Sequence, residues 1–122
     1  MADRPIADHV LTKTFTAGEE LEGNRFVKRV TGGNTVVYAD SGEGAIGVVR
    51  DKIAIAKLAD IILVGTAFVM TSENVAADSL VSADTDGKAQ ATAGSEQVLG
   101  KALTDANSGE YVKVLLSIGG AA

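Results

Sequence analysis

The chain has 122 residues, 46% of them hydrophobic and 22% charged, with one Pro, no Cys, no Trp and a formal net charge of −5. At this length about two thirds of the unfolded chain's surface can be buried, which suits one domain rather than two. Sixteen acidic residues interspersed with eleven basic ones argue against a nucleic-acid partner, and the absence of Cys excludes a disulfide staple, a thiolate nucleophile and a Cys-ligated zinc.

Residues 1–16 place Pro5 early and then space Ile6, Val10, Leu11 and Phe15 among polar residues. They read as an extended N-terminal arm, and no signal peptide is expected because Met1 to Val10 is polar and broken by Pro5. Such an arm either adds a strand to a neighbour's sheet or frays, with its last residues pairing inside the domain. Ile6, Val10, Leu11 and Phe15 are therefore the candidate contact residues. A single β domain is expected over 17–118, opening with the turn Ala17-Gly18-Glu19-Glu20, and a short tail over 119–122.

Gly and Asx punctuation recurs every 8 to 15 residues between runs of Val, Ile, Leu and Thr, the spacing of many short strands. Arg25–Val30 and Thr35–Ala39 flank Thr31-Gly32-Gly33-Asn34, which predicts a hairpin. Arg25, Lys28 and Arg29 on its first strand read as a solvated face. The longest apolar stretch, Ile61–Met70, contains Gly65 and Thr66 and has half of the ~20 residues a membrane helix needs, so no membrane partner is expected. Within it, Phe68 and Met70 read as core packing, and the core as a whole is expected to be aliphatic, since five aromatic residues are too few to fill it. Leu80–Ala83 and Lys88–Thr92 flank Asp84-Thr85-Asp86-Gly87 and predict a second hairpin. In the last run, Val112, Val114, Leu116 and Ile118 alternate with Tyr111, Lys113, Leu115 and Ser117, a period of two that predicts a strand over Glu110–Ser117.

The halves also echo each other. Ala45-Ile46-Gly47-Val48-Val49 followed by Asp60–Val64 is similar to Val98–Leu103 followed by Gly109–Val114. Aligned on Gly47 with Ile61 and Gly100 with Val112, the separations are 14 and 12 residues, so the connecting loops differ by two. The expected fold is mainly β, a small sandwich or partly open barrel built from two similar motifs around one core.

Chemical motifs are few. Gly42-Glu43-Gly44-Ala45-Ile46-Gly47 has the glycine spacing of a dinucleotide-binding loop, which requires a helix directly behind it. Ile53 and Ile55 alternate with Ala54 and Ala56 as in a strand, and Gly65, Thr66 and Ala67 stand where a ribose-binding carboxylate belongs. A nucleotide-binding module using Gly42, Gly44 and Gly47 is thus the alternative reading, with a loop needing backbone freedom the plainer one. Asp84, Asp86 and Gly87 suggest a calcium loop, but Ala93 replaces the closing Glu and a hairpin turn is preferred. His9 is the sole histidine, so neither a triad nor a His-rich metal site fits within one chain. Glu19, Glu20 and Glu22 read as solvated carboxylates rather than an acid–base pair. No enzyme activity, cofactor or metal is expected.

In order and spacing, Ala17-Gly18-Glu19-Glu20-Leu21, Ala45–Val48, Asp86-Gly87-Lys88-Ala89, Val98–Leu103 and Ser108–Val114 resemble the small capsid decoration, or cement, proteins of tailed bacteriophages. One departure is visible. Leu58-Ala59-Asp60 stands before Ile61 where a Gly-Glu turn like Gly109-Glu110 is expected. The resemblance implies a homotrimer made in the host cytoplasm and bound on the outer surface of the expanded head, where it bridges major capsid subunits. A β adapter of the phage tail or fibre is the other structural role.

Overall fold

The computed structural model describes residues 9–30 and 33–117, which form nine β-strands and one short 3-10 turn. In chain order the strands are β1 (His9–Ala17), β2 (Arg25–Arg29), β3 (Thr35–Tyr38), β4 (Gly47–Val49), β5 (Leu58–Met70), β6 (Leu80–Ala83), β7 (Ala89–Ala91), β8 (Gly100–Ala102) and β9 (Tyr111–Leu116). Both predicted hairpins are present, as β2–β3 and β6–β7. β9 keeps the predicted alternation, with Val112, Val114 and Leu116 buried and Tyr111 and Leu115 exposed.

The first five strands close on themselves. β1 pairs with β5, β5 with β4, β4 with β2 and β2 with β3, all antiparallel, and β3 returns to β1 through a short parallel pairing of Thr16 with Thr35 and Ala17 with Val36. Closure removes the exposed sheet edges that invite aggregation. The interior of this barrel holds Phe15, Ala17, Leu21, Val27, Val36, Val49, Ala59 and Ile61. Residues 9–16 of the segment expected as an arm are therefore a wall of this barrel, and what precedes them lies outside the described residues.

The second half repeats the same circuit. β5 pairs with β9, β9 with β8, β8 with β6 and β6 with β7, and β7 returns to the end of β5 through a parallel bridge of Ala89 with Thr71. The 13-residue β5 is thus the last strand of the first barrel and the first strand of the second. By pairing, Ala17 corresponds to Thr71, Val27 to Val81, Val36 to Ala89, Gly47 to Gly100 and Ile61 to Val114. The isolated antiparallel bridges Leu21–Ile53 and Val75–Ala106 match as well.

This register corrects the two-residue loop difference drawn from the sequence. Thr16 opposite Leu58 matches Met70 opposite Tyr111, so Leu58, not Asp60, is the counterpart of Tyr111, and no residue is gained or lost after Gly47. The missing Gly-Glu turn is accounted for by the same shift. Ala56-Lys57 occupies it, with Ala56 at φ 70° and Gly109 at φ 84°. Their amides donate to the carbonyls of Ala17 (2.8 Å) and Thr71 (3.1 Å). Gly47 and Gly100 share a different constraint. A Cβ on either would run into a backbone carbonyl of the neighbouring strand, that of Ile62 or Leu115.

The two barrels meet at a seam. Phe26, Val48 and Ile62, on the outer face of β2, β4 and β5, join one apolar cluster with the interior of the second barrel, including Val69, Ala83, Leu99, Val114 and Leu116. Phe26, the largest fully buried side chain, lies here, so the core is not purely aliphatic. The β6–β7 turn backs onto the first barrel, with the Gly87 amide donating to the Ala39 carbonyl at 2.9 Å. Phe68 departs from the expected core position. It is 52% exposed, facing outward from β5 opposite Lys113.

Candidate interaction surfaces

The glycine triplet leads into β4 rather than a helix, which leaves no fan of helix amides for a pyrophosphate. The amides of Gly42, Glu43 and Ile46 are already bonded to the carbonyls of Ala83, Asp40 and Val27. Glu43 instead closes the loop. Its carboxylate accepts from the Asp40 amide at 2.8 Å and from Lys28 Nζ at 2.7 Å. The bond between them raises the Lys28 pKa and lowers that of Glu43. Both side chains are more than a third exposed, so the pair contributes little to stability.

Asp84 caps the 3-10 turn Thr85–Gly87. Its carboxylate accepts from Ser72 Oγ at 2.6 Å and from the Thr85 amide at 2.8 Å, and these bonds, the Ser72 one foremost, hold its carboxyl below the usual aspartate range. Asp86, at φ 59°, turns its carbonyl to Arg25 Nη1 at 3.2 Å. Among the described residues no three His, Cys, Asp or Glu gather as metal ligands. Glu19 accepts from the Tyr38 amide at 3.0 Å, while Glu20 and Glu22 share Lys52 at 3.8 and 3.7 Å, so Glu19 is held apart from the other two. Arg25 is half-buried rather than solvated, its guanidinium 5.9 Å from the centre of the Tyr38 ring.

Of the candidate contact residues, Ile6 lies outside the described residues and Val10 is described only as backbone in β1. Leu11 and Phe15 come together. They line an apolar cleft of about 440 Å³ with Arg29, Ala45, Ile46, Leu63 and Val64. This is the open mouth of the first barrel, with Phe15, 7% exposed, at its floor and Leu11, 49% exposed, on its rim.

A second surface was not anticipated from the sequence. On the outer wall of the second barrel, Leu80, Lys101, Leu115 and Thr66 form one cross-strand row, Leu80 opposite Lys101, Lys101 opposite Leu115, and Leu115 opposite Thr66. Leu80 is 52% and Leu115 46% exposed, and Phe68 and Tyr111 extend the apolar surface along β5 and β9. The alternation of β9 already gave Leu115 as outward-facing, and only its pairing with Leu80 across β8 was missing. A smaller cleft of about 310 Å³ lies beside the seam, between Asn24, Arg50, Asp51, Phe68 and Lys113.

No family model and no curated protein matches the chain. Among solved structures the fold is similar to that of the N base of head fibre gp8.5 in bacteriophage phi29. The likeness covers 88% of this chain and 93% of that one with a TM-score of 0.75, at 17% sequence identity. At that identity the likeness establishes the fold, a small β-barrel architecture as the strand punctuation implied.

Proposed function

We propose that this chain is a non-enzymatic structural protein of a tailed-phage virion, a decoration protein that binds the outer surface of the expanded head and bridges major capsid subunits as a homotrimer. The observation that carries this reading is the fold likeness to the base of a phage head fibre over nearly the full length of both chains. The order of motifs that resembles cement proteins supports it independently. A protein that binds only the expanded shell lowers that state's free energy with occupancy. Weak individual contacts suffice when several feet of one oligomer engage together.

In this reading the segment before β1, with Ile6, reaches a capsid subunit or a neighbouring copy, the contact continues into β1 at Val10, and Leu11 and Phe15 supply apolar surface beside it. The test is occupancy on expanded and unexpanded heads, measured by image reconstruction, for the intact chain and for a variant lacking residues 2–8. The deletion stops there because β1 begins at His9 and belongs to the barrel wall. Binding to expanded heads only, weakened by the deletion, supports the proposal. Equal binding to both head forms, or none, overturns it. The second reading, a fibre-base adapter, is favoured by the name of the structural neighbour itself, and density continuing outward from the bound body would identify it.

A further inference from the structure

The seam inside this chain joins two defined surfaces, and each has an uncovered counterpart elsewhere in the molecule. By strand pairing, the sealing row Phe26, Val48 and Ile62, with Thr12 at its end, corresponds to Leu80, Lys101 and Leu115, with Thr66 at its end. Phe26 and Val48 are fully buried and Ile62 is 7% exposed, whereas Leu80 and Leu115 are about half exposed. The sealed mouth of the second barrel, with Ala83, Leu99 and Leu116, corresponds in turn to Arg29, Ile46 and Leu63. Those three residues line the open mouth of the first barrel.

We infer that the internal seam is repeated between molecules: the wall of Leu80, Lys101 and Leu115 on one copy seats on the mouth lined by Leu11, Arg29, Ile46 and Leu63 on the next. The occupant is a second copy because the chain itself already contains this contact between the corresponding strands of its two halves, in the matching register. Such a contact is heterologous, wall to mouth, so each copy has one of each to offer, and repetition leads to a ring or an open filament. Arg29 and Lys101 stand where the internal seam has Ala83 and Val48. Two like charges in an otherwise apolar contact make it weaker than the seam and give it a defined salt response, tightening as added salt screens the repulsion.

The inference names the contact by which copies join, rests on the fold alone, and is tested in solution without heads, so its failure leaves head binding standing. Sedimentation of the intact chain up to about 1 mM should show self-association that strengthens with salt. Leu80→Asp with Leu115→Asp on the wall, or Leu11→Asp on the mouth rim, should each weaken it by about 30-fold or more, the scale of an interface hot spot. Both wall positions and the rim position are exposed, and circular dichroism with thermal unfolding checks that each variant stays folded. Lys101→Val, which restores the residue type of the internal seam, should strengthen association.

The decisive measurement is a mixture. A wall variant and a mouth variant retain between them one intact wall and one intact mouth, so together they should form a heterodimer and nothing larger. A chain that stays monomeric at about 1 mM both with and without Lys101→Val overturns the inference. So do folded wall and mouth variants that associate as strongly as the intact chain, or a mixture that forms no heterodimer.

Discussion

The two barrels follow one circuit of strands and differ in what lies over their mouths. The second is closed by the wall of the first through Phe26, Val48 and Ile62, and its interior merges with that wall into a single cluster. The first is filled by its own cluster and opens onto the cleft around Leu11 and Phe15. Equivalent positions thus have opposite environments. The difference teaches that burial here follows from which copy of a repeated unit has a neighbour, since the unit's own pairing is the same in both.

The sharpest way to break the comparison is to truncate the same position in each barrel. Phe26→Ala should cost about 3–5 kcal/mol in a denaturant melt, as for other buried aromatics, whereas Leu80→Ala in the monomer should fall within about 0.5 kcal/mol of the parent. Equal losses would show that the two walls are not in different environments. Gly47→Ala and Gly100→Ala come next. Each sets a methyl against a neighbouring strand's carbonyl, and each should destabilise by about 3 kcal/mol. A large effect at one and none at the other would contradict the equivalence of β4 and β8.

Smaller effects sharpen it. Asp84 has a depressed folded-state pKa, so its contribution is present above the unfolded aspartate value, near pH 4, and is lost as pH falls through the folded value. Asp84→Asn should lower stability at neutral pH by about 1 kcal/mol and flatten the acid limb of the pH–stability curve. Ala56 and Gly109 share one left-handed turn position, so Ala56→Gly should stabilise and Gly109→Ala destabilise, each by about 1 kcal/mol in thermal melts.

Much of this fold was legible in the chain. Alternation in Glu110–Ser117, the two turn tetrads and the echo around Gly47 and Gly100 gave strands, hairpins and a repeated motif, because period-two burial and turn chemistry are local properties. The echo was placed out of register because it was anchored on the Gly-Glu of the second half. Ala56 performs the same turn without a glycine, and an alanine held at positive φ leaves no mark in a sequence. Phe68 was misplaced for a related reason. An apolar run such as Ile61–Met70 does not say which of its faces is covered.

The sequence by itself determined a mainly β chain of short strands with Gly and Asp turns, because those preferences act between near neighbours. Only the tertiary structure decided that β5 serves two barrels, that Phe26 is sealed while Leu80 is bare, and that Leu11 and Phe15 meet Ile46 and Leu63 in one mouth. Those outcomes depend on strand pairing between residues far apart in the chain. Closing the first barrel fixes which wall is presented to the second, and burial then follows contact across the seam.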